Sequence, residues 1–172
     1  EGGAAVNKFK LMIEEFACWG CKTCEVACKQ EFNPVDAENG IKYLSVWEDG
    51  PKVINGKLDF IWRVNVCKHC DDPPCAKGCP EDAIVKREDG IVILDDEKCT
   101  GCQLCIDGCP YDAISFDVEK KTAVKCNLCH HRVDKGLYPA CADNICLAHC
   151  IYFGDPVDIE KQVLKKRKLR GG

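Results

Sequence analysis

The sequence predicts an α+β fold in which two small cysteine-rich modules interlock and a β-hairpin is inserted between their parts. Three observations predict it. The 172 residues include 17 cysteines, and all but one fall into four groups of closely spaced thiols. Two of these groups repeat at an offset of thirty residues, each followed by a pattern typical of a short hairpin. The stretch 33–66 has no cysteine and alternates apolar with polar residues, as strands do.

The four cysteine groups all begin with two thiols separated by two residues. They are Cys18-x2-Cys21-x2-Cys24-x3-Cys28, Cys67-x2-Cys70-x4-Cys75-x3-Cys79-Pro80, Cys99-x2-Cys102-x2-Cys105-x3-Cys109-Pro110 and Cys126-x2-Cys129-x11-Cys141-x4-Cys146, with Cys150 left over. A C-x-x-C turn directs two sulfurs at one point, which suits a metal better than separate disulfides. Zinc ribbons use two such pairs and have no use for the further cysteines.

The third group is the cysteine run of bacterial ferredoxins. Its first three thiolates hold one [4Fe-4S] cubane and its fourth reaches a second cubane. The second group is its natural partner, because Cys79-Pro80 and Cys109-Pro110 are both followed, one residue later, by Asp-Ala-Ile. The two predicted clusters of this inner module, residues 67–125, have the ligands Cys67, Cys70, Cys75 and Cys109, and Cys99, Cys102, Cys105 and Cys79.

The first and fourth groups pair by the same logic in an outer module formed by residues 1–32 and 126–156. Its clusters have the expected ligands Cys18, Cys21, Cys24 and Cys146, and Cys126, Cys129, Cys141 and Cys28. Residues 33–66 form the hairpin insertion, with strands at Ile41–Trp47 and Asp59–Val66 and a turn at Asn55–Gly56. Trp47 and Trp62 are expected either to pack against the rest of the chain or to contact a partner subunit.

Composition and charge limit the function classes. Hydrophobic residues make up 46% of the chain but aromatic residues only 8%, so metal–thiolate bonds are expected to help hold a modest core. The net charge of -4 argues against a nucleic-acid partner. The basic C-terminal tail, 157–172, is interpreted as a solvated helix end or a docking segment. No leader or membrane span is recognised, so the expected location is cytoplasmic, with export beside a partner left open.

No catalytic residue is predicted. The sequence has no G-x-G-x-x-G and no P-loop, so it is not expected to bind a nicotinamide or flavin cofactor. His69, inside a C-x-x-C turn, is expected to take part in hydrogen bonding near a cluster sulfur rather than to bind iron. His130, His131 and His149 are interpreted as surface residues or as residues supporting a ligand.

The order of the groups resembles the iron–sulfur subunits of bis-pterin molybdenum and tungsten oxidoreductases, of the dimethyl sulfoxide reductase, polysulfide reductase and formate dehydrogenase type. The residues that carry the resemblance are Cys67-Lys68-His69-Cys70-Asp71-Asp72-Pro73-Pro74-Cys75, Cys99-Thr100-Gly101-Cys102, Arg132, Gly136, Pro139-Ala140-Cys141 and Phe153-Gly154-Asp155. The resemblance implies three to four [4Fe-4S] clusters that link a separate catalytic subunit to another electron donor or acceptor. The short chain is also similar to the electron-transfer subunit of tungsten-dependent benzoyl-CoA reductase.

The outer module departs from the family pattern. Four residues, not three, separate Cys141 from Cys146, and Leu147 and Lys29 stand where the family has proline. Three occupants therefore stay open for the site of Cys126, Cys129, Cys141 and Cys28: a cubane, a three-iron cluster or a structural zinc. A free-standing polyferredoxin that shuttles electrons between partners is the alternative function, and a zinc-containing structural module is a third class.

Overall fold

The computed structural model describes residues 8–32 and 41–169. The α-helices are α1 (Thr23–Phe32), α2 (Pro74–Lys77), α3 (Leu104–Asp107), α4 (His130–Val133) and α5 (Pro156–Leu169). The strands are β1 (Lys10–Ile13), β2 (Leu44–Ile54), β3 (Lys57–Val66), β4 (Ile84–Lys86), β5 (Val92–Leu94), β6 (Ile114–Asp117), β7 (Thr122–Lys125) and β8 (Ile151–Gly154). Short 3-10 turns occur at Glu15–Ala17 and Ala140–Ala142.

The strands pair into two-stranded antiparallel sheets: β1 with β8, β2 with β3, β4 with β5 and β6 with β7. The β4–β5 and β6–β7 pairs confirm the hairpins expected after Cys79-Pro80 and Cys109-Pro110. The β1–β8 pair joins the two ends of the chain, with Leu11 opposite Phe153. The two parts of the predicted outer module therefore meet in one sheet.

The long hairpin β2–β3 turns at Asn55–Gly56 as expected, but β2 is longer than its sequence pattern indicated. Its alternation is interrupted at Gly50–Pro51, and the register shifts there, between Asp49 and Lys52. Proline lacks the N–H that a ladder needs and is tolerated at such an irregularity. The strand continues beyond it to Ile54. The predicted start at Ile41 lies before the observed start at Leu44.

The base of this hairpin forms the centre of the larger apolar core. Leu44, Val46, Val64 and Val66 are each no more than 4% exposed. They pack with cysteines of α1 and of the fourth group. The carboxylate of the buried Glu25 accepts the Val46 N–H at 3.1 Å and pairs with Lys42, which ties α1 to β2. The hairpin thereby holds one wall of the cysteine-rich region in place.

Two further packing units complete the fold. Cys75 and Cys105 belong to a second core with Ile84, Val92 and Ile114 of the inner hairpins. Helix α5 rests on Tyr152 through Ile159 and Val163, while its basic side chains lie mostly on the exposed face. Arg170 of the predicted basic tail lies outside the described residues. Among the described helices, none has the length and apolar character needed to cross a membrane.

Candidate metal centres

Two cysteine-lined cavities lie in the inner module, and each matches one predicted ligand set. Site I is lined by Cys67, Cys70, Cys75 and Cys109, and the space among these lining residues, part of it open to solvent, is about 330 Å³. Site II is lined by Cys79, Cys99, Cys102 and Cys105, and the corresponding space is about 310 Å³. Each site takes three cysteines from one group and the fourth from the other. The structure thus brings together the residues that the repeat predicted.

Two short helices create this exchange of ligands. Helix α2 carries Cys75 of site I, ends at Gly78 and leads directly into Cys79 of site II. Helix α3 carries Cys105 of site II, ends at Gly108 and leads into Cys109 of site I. The loop before α3 needs Gly101, whose φ is +74°, because a Cβ there would lie 2.4 Å from the Lys121 carbonyl oxygen.

A third cavity, site III, is lined by the predicted Cys18, Cys21, Cys24 and Cys146, and also by Cys150. Its volume of about 330 Å³ equals that of site I. Gly20 lies in its loop with a φ of +66°, and Trp62 of β3 packs so closely over it that a Cβ would be 2.1 Å from the indole ring. The long hairpin therefore shapes site III, whereas Trp47 remains about half exposed.

Site IV brings together Cys28, Cys126, Cys129 and Cys141, all of them buried. Burial raises the pKa of Cys126 to about 12, and the neighbouring thiols Cys67 and Cys129 add to the shift. The pKa of Cys141 also lies well above its ordinary value, because of burial first and then of Cys126, Cys28 and Cys129. These electrostatic effects among the thiols indicate that the four cysteines predicted for site IV lie within one region.

The buried thiols need a cation to become thiolates. Burial raises the pKa of Cys24 and of Cys105 to about 11 each, so without metal both are neutral at physiological pH. Iron binds the thiolate, and its charge compensates for the lost solvation. Each of the cavities of sites I to III has at least four cysteines in its lining, which is the number of thiolates that a cubane requires.

Donors directed at sulfur also fit such a group. Backbone N–H groups of Gly20, Ala83 and Leu128 each lie 3.4 Å from a cysteine Sγ, in sites III, II and IV respectively. The Thr23 hydroxyl donates to Cys21 Sγ at 3.3 Å, and this bond is the main cause of the lowered pKa of Cys21. Hydrogen bonds to cluster sulfurs are one of the means by which proteins set reduction potential.

One ring nitrogen of His69 forms a hydrogen bond with the protein backbone, and the other has no partner among the described residues. Its Nδ1 accepts the Val92 N–H at 2.9 Å, so the neutral ring carries its proton on Nε2. Burial, with Lys125 and Lys10 nearby, lowers the pKa of His69 to about 2. The buried Nε2 has no hydrogen-bond partner among the described residues. It fits the expected hydrogen bonding near a cluster sulfur, which stays a prediction.

The other histidines do not line the cavities of sites I to III. His131 Nε2 is 2.6 Å from Glu31 Oε1, His130 lies beside Asp134, and His149 is exposed. The supporting group that sequence reasoning missed is Lys125, which is only 5% exposed. Its Nζ donates to the carbonyls of Val92 and Cys126 at 2.5 and 2.7 Å. Its one signal in the sequence is its position directly before Cys126.

The packing of the cysteines shows which sites are neighbours. Cys24 of site III and Cys28 of site IV lie one turn apart on α1. Cys67 of site I packs against the core that contains Cys126 of site IV, and Cys75 of site I shares a second core with Cys105 of site II. The order is therefore site II, site I, site IV, site III. Cys102 and Cys21, one in each terminal site, are exposed.

Comparison with known proteins agrees with this geometry. A family described as a 4Fe-4S dicluster domain matches residues 58–156. A tetrathionate reductase subunit of Salmonella typhimurium is 35% identical over 94% of this chain, which spans 63% of that protein's length. An anaerobic dimethyl sulfoxide reductase chain of Escherichia coli is 36% identical, covering 88% of this chain and 75% of its own length. A polysulfide reductase chain of Wolinella succinogenes is 36% identical, with 92% and 82% covered.

The matched range contains the two inner cysteine groups complete, together with Cys126, Cys129, Cys141 and Cys146 of the fourth. The first group lies outside it but inside the coverage of the tetrathionate reductase and polysulfide reductase relatives, which extends over at least 92% of the chain. The chain belongs to the 4Fe-4S dicluster family, among the iron–sulfur electron-transfer subunits of molybdopterin oxidoreductases.

Proposed function

We propose that this chain relays electrons through a row of four [4Fe-4S] clusters to or from a separate molybdenum- or tungsten-pterin catalytic subunit, and has no catalytic residue itself. The observation that carries the proposal is the assembly of sixteen cysteines into four sites that follow one another. When bound, the clusters accept and release single electrons. The part played by this chain is to hold them close together, fix their order and exclude water.

In this proposal each of sites I to IV supplies four cysteine ligands, and Cys150 is not among these sixteen. The exchange of Cys79 and Cys109 between α2 and α3 fixes the distance between sites I and II. The rigid turn from Cys24 to Cys28 does the same for sites III and IV. Because electron tunnelling falls steeply with distance, such fixed spacing is what a relay requires.

We also infer the domain organisation expected from the sequence. Residues 67–125 form the inner module, and residues 1–32 with 126–156 form the outer one, with 33–66 inserted as a hairpin. The pairing of β1 with β8 and the contacts of α1 with the turn at Ala140–Ala142 support the interlocking of the outer parts. The packing of Cys67 against the core that contains Cys126 supports a direct junction between the modules.

The two terminal sites are the proposed points of entry and exit. Their cysteines Cys21 and Cys102 are exposed, whereas site IV is wholly buried. Beside site III lie three exposed apolar side chains, Phe16, Trp19 and Leu147, of which Phe16 is 95% exposed. Apolar and aromatic groups at a surface favour protein contact. They support docking of the catalytic subunit at this end and of a second redox protein at site II.

The occupant of site IV determines whether electrons can pass along the whole row of sites. Zinc has no redox chemistry. Because site IV lies between sites I and III, zinc there would separate site III from the rest of the relay. We therefore propose a cubane at site IV.

The free-standing polyferredoxin remains the second candidate, since the same four sites serve it equally well. The exposed apolar surface beside site III favours a subunit, because a shuttling protein gains nothing from a permanent apolar patch. The names of the relatives, which are components of reductases, favour it too. The cytoplasmic location expected from the sequence stays a prediction.

Metal content tests the proposed cofactors. We expect about sixteen iron and about sixteen acid-labile sulfide ions per chain in anaerobically purified protein, four of each for every cubane, and no zinc. About twelve iron with one zinc would disprove the cubane at site IV. Little iron with several zinc ions would support the structural zinc module and overturn the electron-transfer proposal.

A further inference from the structure

Site III differs from sites I and II in having one cysteine too many. The cavities of sites I and II are each lined by four cysteines, whereas that of site III is lined by five, Cys150 being the extra one. Cys150 is only 1% exposed. A cubane needs one thiolate for each of its four irons. The fifth thiol therefore needs a separate explanation.

The extra thiol lies beside the predicted fourth ligand. Cys150 Sγ is 3.5 Å from Cys146 Sγ, and the Cys150 N–H lies 3.4 Å from the same Cys146 sulfur. Cys150 also contacts Cys18 of the same site. The Cys150 carbonyl accepts the Glu14 N–H at 2.9 Å, which anchors the backbone of this residue. Because the two sulfurs are so close, rotation of the two side chains would exchange one sulfur for the other at the same corner of the cavity.

We propose that Cys150 is a reserve ligand of site III, able to bind the fourth iron in place of Cys146. In the exchange, the bond from iron to Cys146 Sγ breaks and a bond from iron to Cys150 Sγ forms. The Cys150 thiol gives up its proton and the released Cys146 thiolate takes one, so no oxidant or reductant is needed. The inference rests on the proposed function, since it assumes a four-iron cluster in site III.

A reserve ligand would protect the cluster of site III, which lies at one end of the row, against loss of iron. Site III includes the exposed Cys21 and lies beside an open surface, so it is the outer-module site most accessible to oxidants. A cubane that loses one ligand readily loses that iron as well. With a second thiol in place, the site keeps four ligands when Cys146 is modified or displaced.

Alanine variants of the full-length protein, purified without oxygen, test the inference. We expect Cys146→Ala to keep about sixteen iron, and Cys150→Ala to do the same because Cys146 remains. The double variant is expected to lose at least one iron and, after one-electron oxidation with ferricyanide, to show the electron paramagnetic resonance signal of an oxidised three-iron cluster. Cys109→Ala is the matched control, because site I has no spare cysteine, and should lose iron as a single variant.

The outcomes separate this inference from the proposed function. Wild-type protein with about sixteen iron supports the four clusters whatever the variants do. If Cys146→Ala already loses iron as the double variant does, Cys150 is not a reserve ligand. If the double variant keeps all its iron, Cys150 is not needed and the inference is also wrong. Loss of iron in Cys150→Ala alone would show a structural role and would overturn it as well.

Discussion

Removal of iron by a chelator, under anaerobic and reducing conditions, is expected to abolish the cooperative fold of this chain. Cysteines of the four sites take part in both larger apolar cores. Without a cluster, the cysteine-lined walls of sites I to III lose the group that they pack against. The free energy of metal binding is also folding free energy, about 10–16 kcal/mol for a structural metal in a small peptide, and the net stability of an ordinary domain is only about 5–15 kcal/mol.

Far-ultraviolet circular dichroism during chelation, followed by a thermal scan, measures this effect. We expect most of the helical and strand signal to be lost and the thermal transition to disappear. Addition of iron and sulfide to the same sample, with reductant present, should restore both. A chelated chain that keeps a cooperative transition near the original midpoint would show that the protein core, not metal binding, determines the fold.

Replacement of Lys125 by methionine is expected to lower the reduction potentials of sites I and IV. Lys125 is buried, and its charge lowers the pKa of Cys75 in site I and of Cys126 in site IV. The structure shows no carboxylate paired with Lys125 within residues 8–32 and 41–169. A buried cation is costly unless it is compensated, and the negative clusters on both sides would compensate it. Its positive charge in turn favours the added electron.

The expected size of this shift follows from Coulomb's law. At a separation of roughly 8–10 Å and an effective dielectric constant of about 20, a unit charge is worth about 2 kcal/mol. For one electron this corresponds to roughly 70–90 mV. Methionine has a similar length and no charge, so packing changes little while the electrostatic contribution is removed.

A redox titration followed by electron paramagnetic resonance measures the potentials. Two clusters should shift downward in Lys125→Met, and the others should move less because their sites lie farther from this charge. The exposed Lys121 lies in the same segment, and Lys121→Met is the matched control, with no shift expected. Equal shifts of all clusters, or none, would show that Lys125 does not act between sites I and IV.

The cysteine sites were predictable because their spacing pattern is local. Three cysteines of a site follow one another along one short loop in sites I, II and III, so spacing identifies them. The fourth cysteine comes from elsewhere, and the repeat around Cys79 and Cys109 indicated where. The same reasoning placed Cys28 with Cys126, Cys129 and Cys141, which the structure brings together in one buried region. The ligation itself stays a prediction.

The order of the sites was not predictable, because it depends on how the two modules meet. Cys67 packs against the core that contains Cys126 although 59 positions separate the two residues, and no spacing rule indicates such packing. Lys125 resembles an ordinary strand lysine until its burial is known. Cys150 is a leftover residue in the sequence pattern until its sulfur is located beside Cys146. Tertiary packing determines all three features.

Anaerobic titration of the purified protein with dithionite, monitored by visible absorbance and electron paramagnetic resonance, tests the electron relay most directly. We expect reversible uptake of about four electrons per chain, one for each cubane. The reduced spectrum should also show magnetic interaction between neighbouring clusters. Uptake of one electron or none by protein with its full iron content would contradict the account.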